Sequence, residues 1–431
     1  MKYVSTRNKN IHVTFEEAVK QGLAPDVGLY MPELITPLDK TIITSLNNLK
    51  LNEIAYIVSQ QYVANEIPLT ELEQICNEVF NFEIPLVRVK NNIHSLELYH
   101  GPTAAFKDVG ARFMARCLGY FSQQKQERTV ILVATSGDTG SAVAQGFLNV
   151  EGVDVVILYP SGKVSDIQEK QLTSQGGNIT ALEVLGTFDD CQKMVKTAFS
   201  EYNTNGKFRL TSANSINIAR LLPQSFYFYY AVGQLNSDNA VISVPSGNFG
   251  NLTGGLIAHK SGLPIHKFVA STNINDTFPI YLQTGNFESK PSVATISNAM
   301  DVGNPSNFER MEQMFDEDYE MMRKLISAYS FTDAQTKERM LQCYTDTGYI
   351  TDPHGAVALL GLEKELKLSD LPGIFLETAH PAKFSETVFD AIGIVPEIPD
   401  SLKIYQQRVK KSVIIQNSYE QLKDYLNDTF L

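Results

Sequence analysis

"NAVISVPSGNFGNLTGGLIAHK", residues 239–260, sets an apolar, β-branched run against a glycine-rich turn and then a run with helical spacing. That order is the grammar of an α/β unit. Working outward, "TVILVATSGDTGSAVAQGF" at 129–147 repeats it and "VDVVILYPSGKVSDIQEKQL" at 153–172 is a third unit. "LPGIFLETAHPAKF" at 371–384 ends a late buried strand. Alternating β and α units predict parallel sheets covered by helices on both faces. SGDTG at 136–140 and SGNFG at 246–250 echo each other, each between a strand and a helix. The echo predicts an α/β fold of two open parallel-sheet lobes, each giving one glycine-rich loop to a shared cleft.

The first ninety residues read as helical. Thr14 with Glu17, and Thr70 with Glu73, have capping-box spacing, and Gly22 can close the first short helix. Leu72, Ile75, Cys76, Val79 and Phe80 share one helical face. The acidic stretch 305–342 predicts a solvated helical face. The expected division is a mainly helical domain over 1–90, a first lobe over 91–205, a second over 206–395 and a C-terminal helical extension over 396–431.

A chain of 431 residues exceeds one compact core, and 43% hydrophobic with 19% charged residues describes an ordinary globular protein. A net charge of -12 argues against nucleic acid or an anionic membrane as partner. Cys76, Cys117, Cys191 and Cys343 are far apart and form no CxxC pair, which suits a reducing compartment and gives no metal signature. The N-terminus has no apolar leader core, and no apolar run approaches membrane-span length. A cytoplasmic enzyme, monomer or homodimer, is expected.

A glycine-rich turn feeding a helix presents free N–H groups and a positive dipole end to an anion. Neither loop is a Walker A or a GxGxxG motif. "SGNFGN" has no acid and offers Ser246, Asn248 and Asn251, so it suits a phosphate dianion; "TSGDTG" carries Asp138, so Thr135, Ser136, Gly137, Asp138 and Thr139 suit a weaker anion such as a carboxylate. Either loop alone reads more readily as a tight turn closing a strand; the two echoing loops together bring the anion reading level with it. "HGPTAAFKDVGARFMARCLGY" at 100–120 places Lys107 beside Phe106 at a helix start, ahead of Val109, Phe113, Met114, Cys117, Leu118 and Phe121 at helical spacing. Standing alone, Lys107 reads as an exposed lysine of a first turn. Burial would lower its pKa from about 10.4 and free the amine to attack an aldehyde. A desolvated lysine and a phosphate cradle in one chain point to pyridoxal phosphate. Thr378, where an apolar strand ends, either terminates the strand or offers its hydroxyl to the pyridine nitrogen.

In order, "TFEEAVKQGLAPDVGLYMPE", "HGPTAAFKD", "TSGDTGSA", "SANSINIAR", "PSGNFGN", "SNAMDVGNPSN" and "TAHPAKF" resemble the threonine synthase family of fold-type II pyridoxal-phosphate enzymes over nearly the whole chain. The resemblance implies Lys107 as the Schiff-base lysine, with Gly247, Asn248, Phe249, Gly250 and Asn251 around the cofactor phosphate. Thr378 would face the ring nitrogen, and the TSGDTG loop would hold the substrate carboxylate. It implies a lyase of threonine biosynthesis that turns O-phospho-L-homoserine and water into L-threonine and phosphate. The substrate's own phosphate then needs a second site. Lys163 and Ser165, or Asn214, Ser215, Asn217 and Arg220, are the candidates; the latter group reads equally as helix capping with a surface arginine. His100, His354 and His380 are expected to be structural. A serine/threonine dehydratase or a β-replacing cysteine synthase on the same scaffold, and a non-catalytic phosphate-ligand binder, are the alternatives.

Overall fold

The structure, a computed structural model, describes residues 1–63, 65–125, 128–135, 137–201, 208–367 and 370–430. Among these the strands form two large sheets and one small one. The first large sheet runs Val413–Gln416, Ile179–Leu185, Val153–Pro160, Thr129–Ala134, Arg209–Thr211, all parallel. The second runs Ile326–Ser330, Ile265–Thr272, Ala240–Pro245, Gly373–Glu377, Ile93–Glu97, Leu86–Lys90, and only its last pair is antiparallel. Every residue of Thr129–Ala134, Ala240–Pro245 and Gly373–Glu377 is buried. Strands covered on both faces read as continuous apolar runs, which is why these were legible. The expected α/β architecture of two parallel-sheet lobes is present.

The sheets are assembled across the sequence divisions at 91, 206 and 396. Leu86–Lys90 and Ile93–Glu97 join the second sheet, while Arg209–Thr211 and Val413–Gln416 join the first. The C-terminal stretch is therefore not purely helical: a strand lies between the helices Asp400–Gln406 and Tyr419–Phe430. The acidic stretch 305–342 also departs from a solvated helical face. It contains the strand Ile326–Ser330, and Phe308, Arg310 and Met311 are buried. Its acids mask an apolar stripe at helical spacing.

The N-terminal region packs the helices Phe15–Gln21, Lys40–Thr44, Leu51–Val63 and Leu69–Val79 beside a small antiparallel sheet of Tyr3–Ser5, His12–Val13 and Tyr30–Pro32. The Thr14–Glu17 capping box forms, and Gly22, at φ 73°, donates to Ala18 O. The Thr70–Glu73 box does not form. Pro68 stands at the N-cap and the helix starts at Leu69, so Thr70 is already inside the first turn. Leu72, Ile75, Cys76, Val79 and Phe80 are buried as the spacing predicts. No helix among the described residues is long and apolar enough to cross a membrane.

Candidate active site

Lys107 opens the helix Lys107–Lys125, whose Val109, Phe113, Met114, Cys117, Leu118 and Phe121 are all buried. The preceding turn is fixed from inside. Asp108 accepts from Thr103 N at 2.8 Å and from Thr103 Oγ1 at 2.5 Å, and a Cβ on Gly101 would sit 2.5 Å from Asp108 Oδ2. The turn then pairs with the segment that leaves the strand Gly373–Glu377. Phe106 N donates to Thr378 O at 2.9 Å, His380 N donates to Ala104 O at 3.0 Å, and Ala105 bridges Ala379. Three backbone contacts thus bring the lysine and Thr378 together from positions far apart in sequence. Thr378 is buried.

The Lys107 amine is brought down to about 8, first by burial; Asp138 opposes the shift, while Lys383 and Arg220 add to it. Near pH 7 that raises the neutral fraction from well under a thousandth to roughly a tenth. Asp138 opens the helix Asp138–Gly146 after Gly137, whose φ of 141° requires glycine. Despite its burial, Lys383 and Lys107 hold the Asp138 carboxyl well below the usual carboxylate range. Lys383 Nζ lies 2.6 Å from Asp138 Oδ1 and also donates to Thr103 O at 3.0 Å. Gln168 Nε2 donates to the same carboxylate oxygen at 2.9 Å. The Thr135 hydroxyl is turned inward, accepting from Gly137 N at 3.0 Å and Gly140 N at 2.9 Å. Thr139 lies in the first turn of the same helix. Ser136 lies outside the described residues.

In the second loop Phe249 adopts φ 60° and starts the helix Gly250–Lys260. Gly247 is packed against the 297–307 segment: a Cβ there would lie 2.7 Å from Met300 Cα and 2.9 Å from Ala299 O. The Asn248 side chain donates to Ser215 Oγ at 2.7 Å and accepts from Ser306 N at 2.6 Å. Asn251 accepts from Tyr227 OH at 2.5 Å, and its buried Nδ2 has no partner among the described residues.

The family described as "Threonine synthase N terminus" matches residues 2–80, "Pyridoxal-phosphate dependent enzyme" matches 83–373, and "Threonine synthase, C-terminal" matches 355–426. Threonine synthase of Haemophilus influenzae is 45% identical over 429 residues, 99% of each chain. The chain belongs to the threonine synthase family. The solved threonine synthase of Escherichia coli superposes with a TM-score of 0.92 at 39% identity, over 99% of this chain and 100% of that one. Pyridoxal-phosphate-bound threonine synthase of Brucella melitensis gives 0.95 at 34% identity, over 100% of this chain and 99% of that one.

The residues present fit the cofactor of this threonine synthase fold. A lysine with a lowered pKa follows a turn whose backbone pairs with that of buried Thr378, and Asn251, in the acid-free loop, keeps a buried Nδ2 donor without a partner among the described residues. Such orphaned donors are costly unless an anion satisfies them.

The second-phosphate candidates divide. Asn217 is spent structurally: it N-caps Ile218–Leu221 by accepting from Ala219 N and donates to Val19 O and Ser212 O. Arg220 is buried, not on the surface, and donates to Ala213 O. Asn214 Oδ1 is buried without a partner among the described residues. Lys163 and Ser165 are exposed, and Ser165 forms a capping box with Gln168. His100 pairs with Glu97 at 2.7 Å, His354 with Asp352 at 2.6 Å, and His380 Nδ1 accepts from Ala382 N at 3.1 Å, all structural bonds. Sequence reading missed Lys383. It stands inside "TAHPAKF", yet only the fold brings it to Asp138.

Proposed function

We propose that this chain converts O-phospho-L-homoserine and water into L-threonine and inorganic phosphate, by loss of phosphate from Cγ and addition of water at Cβ. When bound, pyridoxal phosphate supplies an electron sink that acidifies C–H bonds near the substrate amine. The chain supplies the rest. Lys107, neutral for a useful fraction of the time, takes a proton from Cα and then from Cβ, and returns protons at Cγ and Cα. The Thr378 hydroxyl gives the ring nitrogen a neutral hydrogen bond. Gly247, Asn248, Phe249, Gly250 and Asn251 hold the cofactor phosphate at the start of the Gly250–Lys260 helix.

The substrate carboxylate is assigned to the N-terminal end of the Asp138–Gly146 helix, around Gly137 to Thr139. Thr135 acts there by holding the loop closed. For the substrate phosphate, Lys163 and Ser165 are the accessible groups, and Arg220 and Asn214 keep buried polar atoms to spare; Asn217 is left out because its amide is fully engaged. The four cysteines, free and buried, suit work in the cytoplasm. We read the working unit as a monomer or homodimer.

One observation supports the reading: backbone contacts from Ala104, Ala105 and Phe106 to Thr378, Ala379 and His380 hold the turn before Lys107 against the segment that carries Thr378. Incubation of the purified protein with O-phospho-L-homoserine should release phosphate and threonine in equal amounts. Oxobutyrate without threonine would assign the chain to the dehydratases instead.

A further inference from the structure

Arg310 is fully buried, at 0% exposure, yet no carboxylate of the described residues pairs with it. Its neighbour Glu309 is taken by Arg7 at 2.5 Å. All five guanidinium N–H groups are used, and every acceptor is neutral. Nε and Nη2 donate to Tyr30 O at 3.2 and 2.9 Å, and Nη2 also donates to Ile216 O at 2.7 Å. Nη1 donates to Ser215 O at 3.1 Å and to Asn307 Oδ1 at 2.8 Å. Arginine stays cationic in such a place; burial lowers its pKa only to about 9. Glu309 opposes that fall without pairing with the guanidinium, and a buried cation met only by neutral acceptors is expensive, so a further compensating anion is expected nearby.

Two arms lead from Arg310 to one residue of the anion loop. Asn307, held by Nη1, donates its Nδ2 to Asn248 O at 2.9 Å. Ser215, held at its carbonyl, accepts from Asn248 Nδ2 at 2.7 Å. A trans peptide puts its C=O and the following N–H on opposite sides. Fixing the Asn248 carbonyl against Asn307 therefore fixes the direction of the Phe249 N–H, just where Phe249 takes φ 60°.

We propose that Arg310 is the positioning residue of the cofactor-phosphate loop and the buried counter-charge for that phosphate. It acts through Asn307 and Ser215 and does not touch the reacting atoms. The inference rests on residues 246–251 holding the cofactor phosphate.

The test titrates the full-length, cofactor-stripped protein with pyridoxal phosphate and, separately, with pyridoxal, which lacks the phosphate. In the wild type, pyridoxal phosphate should bind much more tightly. Arg310→Gln should reduce the ratio of the two affinities by about tenfold, a change of about 1.4 kcal/mol. Arg310→Lys, which keeps the charge, should restore part of it. Should Arg310→Gln fail to fold, Asn307→Asp serves, being isosteric while neutralising Arg310 and removing the donor to Asn248 O. It should lower the same ratio and leave pyridoxal binding unchanged. A fall of about fivefold or more carries the inference; any smaller change in every folded variant overturns it. If the wild type binds both forms equally, the loop reading fails first and the inference falls with it.

Discussion

By its own segment Lys107 reads as an exposed first-turn lysine; the acid-free glycine-rich loop elsewhere in the chain is what singled it out, while the apolar face of its helix is buried where the spacing put it. For Thr378 the choice between strand terminator and ring-nitrogen partner stays open in the sequence, but its place at a strand end was legible. Lys383 and Glu377 were not, because their roles arise from residues hundreds of positions away or from burial alone. Glu377 is buried, and burial first, then Asp352, raises its carboxyl well above the ordinary range. Its Oε1 has no partner among the described residues, and a Cβ on Gly355 would press on it at 2.1 Å. The native state keeps this proton while the unfolded chain loses it near pH 4.5. Stability therefore falls as pH rises above that value, until the native carboxyl itself ionises. Glu377→Gln mimics the protonated acid. Its melting temperature should match the wild type near pH 4.5 and exceed it at pH 8; parallel pH profiles would contradict this.

Among elements, fully buried strands announced themselves as continuous apolar runs and long amphipathic helices by their period. Short edge strands did not. Ile326–Ser330 is mixed in exposure and Val413–Gln416 buries only Ile415, so neither carries the uniform apolar run of a central strand. The "SGNFG" turn was readable as a turn, but the reason for its first glycine, Gly247, lies in the 297–307 segment. Gly247→Ala would drive a methyl to 2.7 Å from Met300 Cα, backbone that cannot swing aside. The expected cost is about 1–3 kcal/mol of stability, with weakened cofactor binding. Thermal melts and cofactor titration check it; an unchanged protein would show that this packing has slack.

Across the whole molecule, the two parallel-sheet lobes, each with a glycine-rich turn between a strand and a helix, followed from the repeated strand–turn–helix grammar. The linkage between them did not. Asp138 follows a strand of the first sheet and Lys383 follows a strand of the second, so their 2.6 Å ion pair ties the sheets together beside Lys107. Lys383→Met should cost about 3–5 kcal/mol by stranding a buried carboxylate, and Asp138→Asn in the same chain should recover part of it. Because Lys383 also repels the Lys107 cation, its loss should raise the Lys107 pKa and move the acid limb of the activity profile to higher pH. An unmoved limb would break that coupling. One amine, that of Lys107, is expected to bond the cofactor. Borohydride reduction of the loaded protein, digestion and peptide mass analysis test it directly. A single cofactor adduct is expected on the peptide containing Lys107; an adduct on Lys383 or another lysine would show that a different amine bonds the cofactor, and no adduct would show that none does.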